Sequence, residues 1–184
     1  MSTSQFVTNL VLYQIAWLAC ILGGGNGKPW LGVLVVLAVV AYHLVSAVRP
    51  ALELRLIAAA ALVGAVWDSL LVAAGWMEYP SGTLIGNTAP YWIVALWVVF
   101  ATTFNVSMSW FKSRLVAASV FGAVGGPLAY LAGERLGGVI MPEPMASLTA
   151  LALGWALWMP LMMLLARRWN GFEPQQPRVA AQAG

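Results

Sequence analysis

Six long apolar runs constrain this chain more than any motif in it. They are Phe6–Leu22, Trp30–Val48, Leu56–Gly75, Tyr91–Phe111, Leu115–Gly133 and Ala146–Leu165. A helix needs roughly 20 mostly apolar residues to cross a bilayer, and each run reaches or approaches that length. Hydrophobic residues make up 61% of the chain and charged residues only 8%. A soluble domain carries about 25% charged residues, so this chain cannot cover a water-facing surface and its natural solvent is lipid. Unbroken apolar runs exclude the alternating strands of a membrane barrel. The expected fold is all-α, a polytopic bundle of six transmembrane helices with short loops. A single domain fills residues 1–169. Residues 170–184, rich in Pro, Gln, Ala and Gly, are expected to form a disordered cytoplasmic tail.

Charge placement predicts orientation. Six crossings put both termini on one side, together with Arg49, Arg55, Lys112, Arg114, Arg167, Arg168 and Arg178. Only Lys28 and Arg135 lie opposite. Basic loops favour the cytoplasm, so both termini are expected there. The net charge of +3 is thereby an orientation signal and not one for nucleic acid. Trp30, Trp76, Trp92, Trp110 and Trp169 fall near the span ends, where tryptophan anchors at the interface. The first run lacks a basic leader and contains Asn9, Tyr13 and Gln14, so it reads as a retained helix and not a cleaved signal.

Between the runs, Gly23–Gly27 makes a tight turn and lacks the Gly-Lys-Ser/Thr ending and preceding strand of a phosphate loop. The segment Trp76–Pro90 is the longest link and is long enough to fold over the bundle as a lid. Ala118, Gly122 and Gly126 recur at four-residue spacing, which lets helices approach closely. Gly126-Pro127 is expected to kink the fifth helix. No internal repeat supports an inverted-repeat transporter.

Asp68 is the one acidic or basic residue well inside a run. A charge at mid-bilayer costs roughly 2.5–3.5 kcal/mol on insertion scales, so it faces a partner or cavity. Ala60, Gly64 and Asp68 share a helix face, which points the carboxyl into the bundle. Gln14 and Asn105 are the expected neutral partners, with no Lys or Arg in the spans to pair with it. A protonated, hydrogen-bonded Asp68 is therefore expected. Thr102, Asn105 and Ser109 share a face of a continuous fourth helix in this reading. His43 is placed toward the inner half, beside Asn9, and Glu134 and Tyr130 at the outer end of the fifth helix. Tyr13 belongs to the polar stripe of the first helix.

These groups support two readings: interhelical glue, or a polar site for a proton, a small molecule or a lipid. The single Cys20 reads as a small apolar filler. With one His, one Cys and no paired ligand motif, no metal site or cofactor is expected. No Gly-x-Ser-x-Gly elbow exists for a serine hydrolase.

Tyr13-Gln14 with Trp17 and Cys20, Asp68, Pro90-x-Trp92 with Leu96-Trp97, Phe100-Ala101 and Asn105, then Gly126-Pro127-Leu128-Ala129-Tyr130 with Gly133, form a recognisable order. In this order the chain resembles a family of small multi-pass bacterial inner-membrane proteins known as a domain of unknown function. The resemblance spans about residues 6–165. It implies a Gram-negative inner-membrane location and a link to cyclopropane-fatty-acid-synthase-like methyltransferases and flavin-dependent oxidoreductases. It carries no established catalytic residues.

The leading expectation is a protein that binds or moves a small or lipidic molecule at an interhelical site centred on Asp68. Gln14, Asn105, His43, Tyr13 and Glu134 are its candidate companions, and membrane lipids its partners. One alternative is a membrane enzyme or accessory subunit in fatty-acid or phospholipid modification, with Asp68, His43 and Glu134 as acid–base groups. The other is a structural protein, a homo-oligomer through the fifth-helix glycines.

Overall fold

A computed structural model describes residues 2–173. Among them are six α-helices: α1 (Thr3–Gly25), α2 (Pro29–Ser46), α3 (Pro50–Ala73), α4 (Tyr91–Phe104), α5 (Leu115–Arg135) and α6 (Pro144–Arg168). α1 starts on a capping box, with the Ser2 side chain on the Gln5 backbone and the Gln5 side chain on the Ser2 backbone. Pro29, Pro50 and Pro144 open α2, α3 and α6. Proline suits that position because its missing N–H has no helical partner there. Five of the helices are long and apolar enough to cross a membrane, and α4 is shorter.

The expected run Tyr91–Phe111 is not one helix. α4 stops at Phe104, and a 3-10 turn follows at Ser109–Ser113. The cause is polar competition for the backbone. Thr102 and Thr103 donate back to the Val99 and Phe100 carbonyls at 2.7 and 2.6 Å. Asn105 and Ser107 turn toward partners on other elements. Thr102, Asn105 and Ser109 accordingly do not form one helical face.

α1 packs on α2 and both on α4; α4 packs on α3; α5 packs on α6, which also touches α3 and α4. Glycine makes these approaches possible, and tryptophan fills them. Gly64 on α3 lies under the Trp97 ring, and Gly126 on α5 lies under the Trp155 ring. Trp97 and Trp155 stack with centroids 4.6 Å apart and planes 10° from parallel. One chain of contacts therefore links α3, α4, α6 and α5. Gly122 also abuts the Trp155 backbone, so the Gly122/Gly126 stripe is used within the chain. Pro127 sits inside a continuous α5.

The Trp76–Pro90 segment lies across one end of the bundle. Ser81 Oγ donates to the Gly24 carbonyl at 2.6 Å, and Trp92 Nε1 donates to the Ser81 carbonyl at 2.9 Å. Glu78 and Ile140 exchange backbone hydrogen bonds, both 2.9 Å. Gly82 has φ 87°, where a side chain is disfavoured, and a Cβ there would meet Trp92 at 2.6 Å. At the opposite end the chain beyond α6 folds back: Asn170 is buried, and Arg49 donates to the Asn170 and Glu173 carbonyls at 2.7 and 2.8 Å. Residues 170–173 thus pack against the bundle, and residues 174–184 of the expected tail lie outside the described residues.

Candidate functional site

Asp68 is fully buried on α3, on the face shared with Ala60 and Gly64. Its carboxylate accepts hydrogen bonds from Trp97 Nε1 at 2.7 Å, Tyr79 Oη at 3.3 Å and the Tyr130 hydroxyl. The donors come from α4, the end-covering segment and α5, so Asp68 ties three elements to α3. None of them is charged, and all three are donors. A carboxyl oxygen accepts from such groups; the partners of Asp68 are neutral, as expected, but they are Tyr79, Trp97 and Tyr130 in place of Gln14 and Asn105. Burial, and then the neighbouring carboxylate, pushes the Tyr79 hydroxyl well above its usual range, which keeps it protonated and donating.

Beside this knot lies a cavity of about 270 Å³. Tyr13, Trp17 and Ile21 of α1 form one wall, and Gly125, Ala129 and Tyr130 of α5 the facing wall. Trp97 and Phe100 of α4 and Trp155 and Met159 of α6 lie between. All three donors to Asp68 line the cavity, and no Asp, Glu, Lys, Arg or His does. Asp68 stands behind the wall and orients the rings that make it.

The two amides expected beside Asp68 are elsewhere. Gln14 is on the exposed face of α1. Asn105 belongs to a second buried cluster at the other end, centred on Glu53. Glu53 is fully buried and pairs with His43 Nε2 at 2.8 Å. It also accepts from Asn105 Nδ2 at 2.8 Å and the Gly171 backbone at 2.6 Å. Phe172 lies against the His43 ring, with centroids 5.0 Å apart. Lys112 donates to Asn105 Oδ1 at 3.1 Å, and burial lowers its pKa against the opposing pull of Glu173 and Glu53. This cluster closes the end at which α1 begins and α6 ends.

Tyr13 sits in the cavity wall against Phe100, with centroids 5.6 Å apart. Glu134 accepts from the Met141 backbone at 3.1 Å, outside both clusters. Asn9 bridges the Thr102 carbonyl at 3.1 Å and Ser107 Oγ at 2.6 Å, as interhelical glue. Asp68, His43 and Glu134 therefore have separate partners and form no common acid–base constellation. Among the described residues no group of His, Cys, Asp and Glu is suited to a metal ion.

Sequence reasoning missed Glu53, Tyr79 and Trp97. Glu53 falls between the apolar runs Trp30–Val48 and Leu56–Gly75, but Pro50 opens α3 and places Glu53 in its first turn. Depth was the usable signal for Asp68: it lies in the second half of α3, at the level of Tyr130 near the end of α5, whereas Asn105 follows α4 at the opposite end of the bundle.

Fold and site together define a multi-pass helical membrane protein with a buried aspartate behind an aromatic cavity. The model of a protein family described as a protein of unknown function (DUF2878) matches residues 6–161. The chain belongs to that family, in agreement with the resemblance seen in its motifs. Comparison with curated proteins and with solved structures finds no match.

Proposed function

We propose that this protein binds a small, lipid-soluble molecule within the membrane, in the cavity between α1 and α5. The observation that carries the reading is the composition of the wall. Three aromatic donors fixed by one buried carboxylate stand beside a space lined mainly by apolar and aromatic side chains. Glue alone accounts for an interhelical hydrogen bond, but not for three rings held at the edge of an empty volume. Binding pockets are typically apolar, with a few placed polar groups, and span about 300–1,000 Å³; this one, at about 270 Å³, suits a small molecule. Asp68 acts as a positioning residue in this reading. The resemblance in its motifs supports a bacterial inner membrane, and the basic residues gathered at one end support cytoplasmic termini.

Native mass spectrometry of protein released from its own membranes tests the reading. Wild type should carry a bound small molecule. Ala129→Phe, which fills the cavity from α5, should lower its occupancy about tenfold, a loss of roughly 1.4 kcal/mol. Equal occupancy in the two proteins would remove the cavity from consideration. A C-terminal alkaline phosphatase fusion that is active would reverse the orientation.

A further inference from the structure

We propose that the cavity takes its ligand sideways from the bilayer, between α1 and α5, and that this ligand is an uncharged lipid-soluble molecule ending in a hydroxyl. The inference rests on the cavity-binding reading above and adds a route and a chemical class.

Both watery ends are closed. At the outer end Ser81 is bonded to Gly24, Trp92 to Ser81, and Glu78 to Ile140. At the inner end Asn9 ties α1 to Thr102 and Ser107, and Phe111 lies against Phe121 with centroids 4.9 Å apart. The side is different. α1 and the α5 hairpin meet near the outer end, where a Cβ on Gly138 would lie 3.0 Å from Ile21 and one on Gly25 would lie 2.8 Å from the Gly137 carbonyl. Beyond that end, α1–α5 is absent from the main helix pairings. The threshold there is Gly125. A Cβ on it would meet only Phe121, at 3.8 Å, with open space otherwise. Leu10 and Phe121, which flank the gap, are exposed on the membrane side by 43% and 40%.

The wall sets the chemistry. It contains no charged side chain, so a charged head would enter low dielectric without a partner. The Tyr79 and Tyr130 protons are committed to Asp68. Their oxygens keep acceptor lone pairs, while Trp155 Nε1 in the same wall is buried without a hydrogen-bond partner. A ligand hydroxyl, which both donates and accepts, matches the two together, whereas an ether or a carboxylate only accepts.

The test uses the full chain in proteoliposomes and a long-chain alcohol carrying a diazirine in its alkyl chain. Its methyl ether and the corresponding carboxylic acid, ionised at alkaline pH, are the comparison probes. After photolysis, peptide mapping should find the alcohol on Tyr13 or Trp17 of α1 and on Ala129 or Tyr130 of α5. Gly125→Trp should lower this labelling about tenfold, and Gly125→Val carries the same comparison if the larger residue prevents folding. Val124→Trp, on the neighbouring membrane-facing surface, should label like wild type. Ether and ionised acid should label about tenfold less than the alcohol. Unchanged labelling in the Gly125 variants overturns the lateral route while leaving the cavity reading intact. Equal labelling by all three probes overturns the hydroxyl-bearing class. No labelled cavity peptide with any probe overturns the whole inference, and the Ala129→Phe occupancy measurement then decides separately whether the cavity binds anything.

Discussion

Asp68→Ala leaves the Tyr79, Tyr130 and Trp97 donors in a buried space without their acceptor. An unsatisfied buried polar group costs about 1–3 kcal/mol, so the variant should lose at least about 3 kcal/mol in detergent-induced unfolding. Asp68→Asn keeps one acceptor oxygen and should lose less. Equal stability of all three proteins would mean that the carboxylate does not hold the wall. Tyr79 gives a pH test. Its hydroxyl is held above the ordinary value of 10.0 by burial and by Asp68. The unfolded chain therefore releases this proton first as pH rises. Stability from Tyr79 is complete below about 10 and falls as pH climbs above it. Stability of wild type should decline more steeply than that of Tyr79→Phe in alkaline buffer; parallel curves would contradict the buried contact.

Adjacent glycines on α5 have opposite roles, which substitution by alanine separates. A Cβ on Gly126 would run into the Trp155 ring, whereas one on Gly125 meets only Phe121 at 3.8 Å. Gly126→Ala should destabilise by about 1–3 kcal/mol through overpacking. Gly125→Ala should be neutral or stabilise by about 0.5–1 kcal/mol, since alanine suits a helix better than glycine. Matching effects would mean that Trp155 is not the neighbour that fixes α5. Five spans were legible as apolar runs because length and hydropathy suffice for them. The end of α4 was not, since Thr102 and Thr103 look apolar enough in sequence to continue it. What stops it is a set of partners on α1, α3 and beyond α6, namely Asn9, Glu53 and Trp169.

For the whole molecule, the two polar clusters hold opposite ends of one bundle. Ending the chain at Trp169 removes the Gly171 hydrogen bond to Glu53 and the Phe172 contact with His43. Amide exchange should then quicken at the end of α2 and the start of α3 and stay unchanged near Asp68. Unaltered protection around Glu53 would show that the returning segment is not needed to close that end. The sequence by itself determined a helical membrane protein, its approximate crossings and one carboxyl turned inward. Those follow from hydropathy and helical periodicity, which act along the chain. Only the tertiary structure decided that Asp68 meets Tyr79, Trp97 and Tyr130 and not Gln14 or Asn105, that His43 belongs to Glu53, and that an aromatic cavity lies beside the first cluster. Those pairings depend on depth and on the rotation of each helix about its axis. Both are set by tryptophans settling onto Gly64 and Gly126 across helix boundaries, which periodicity within a single helix does not reveal.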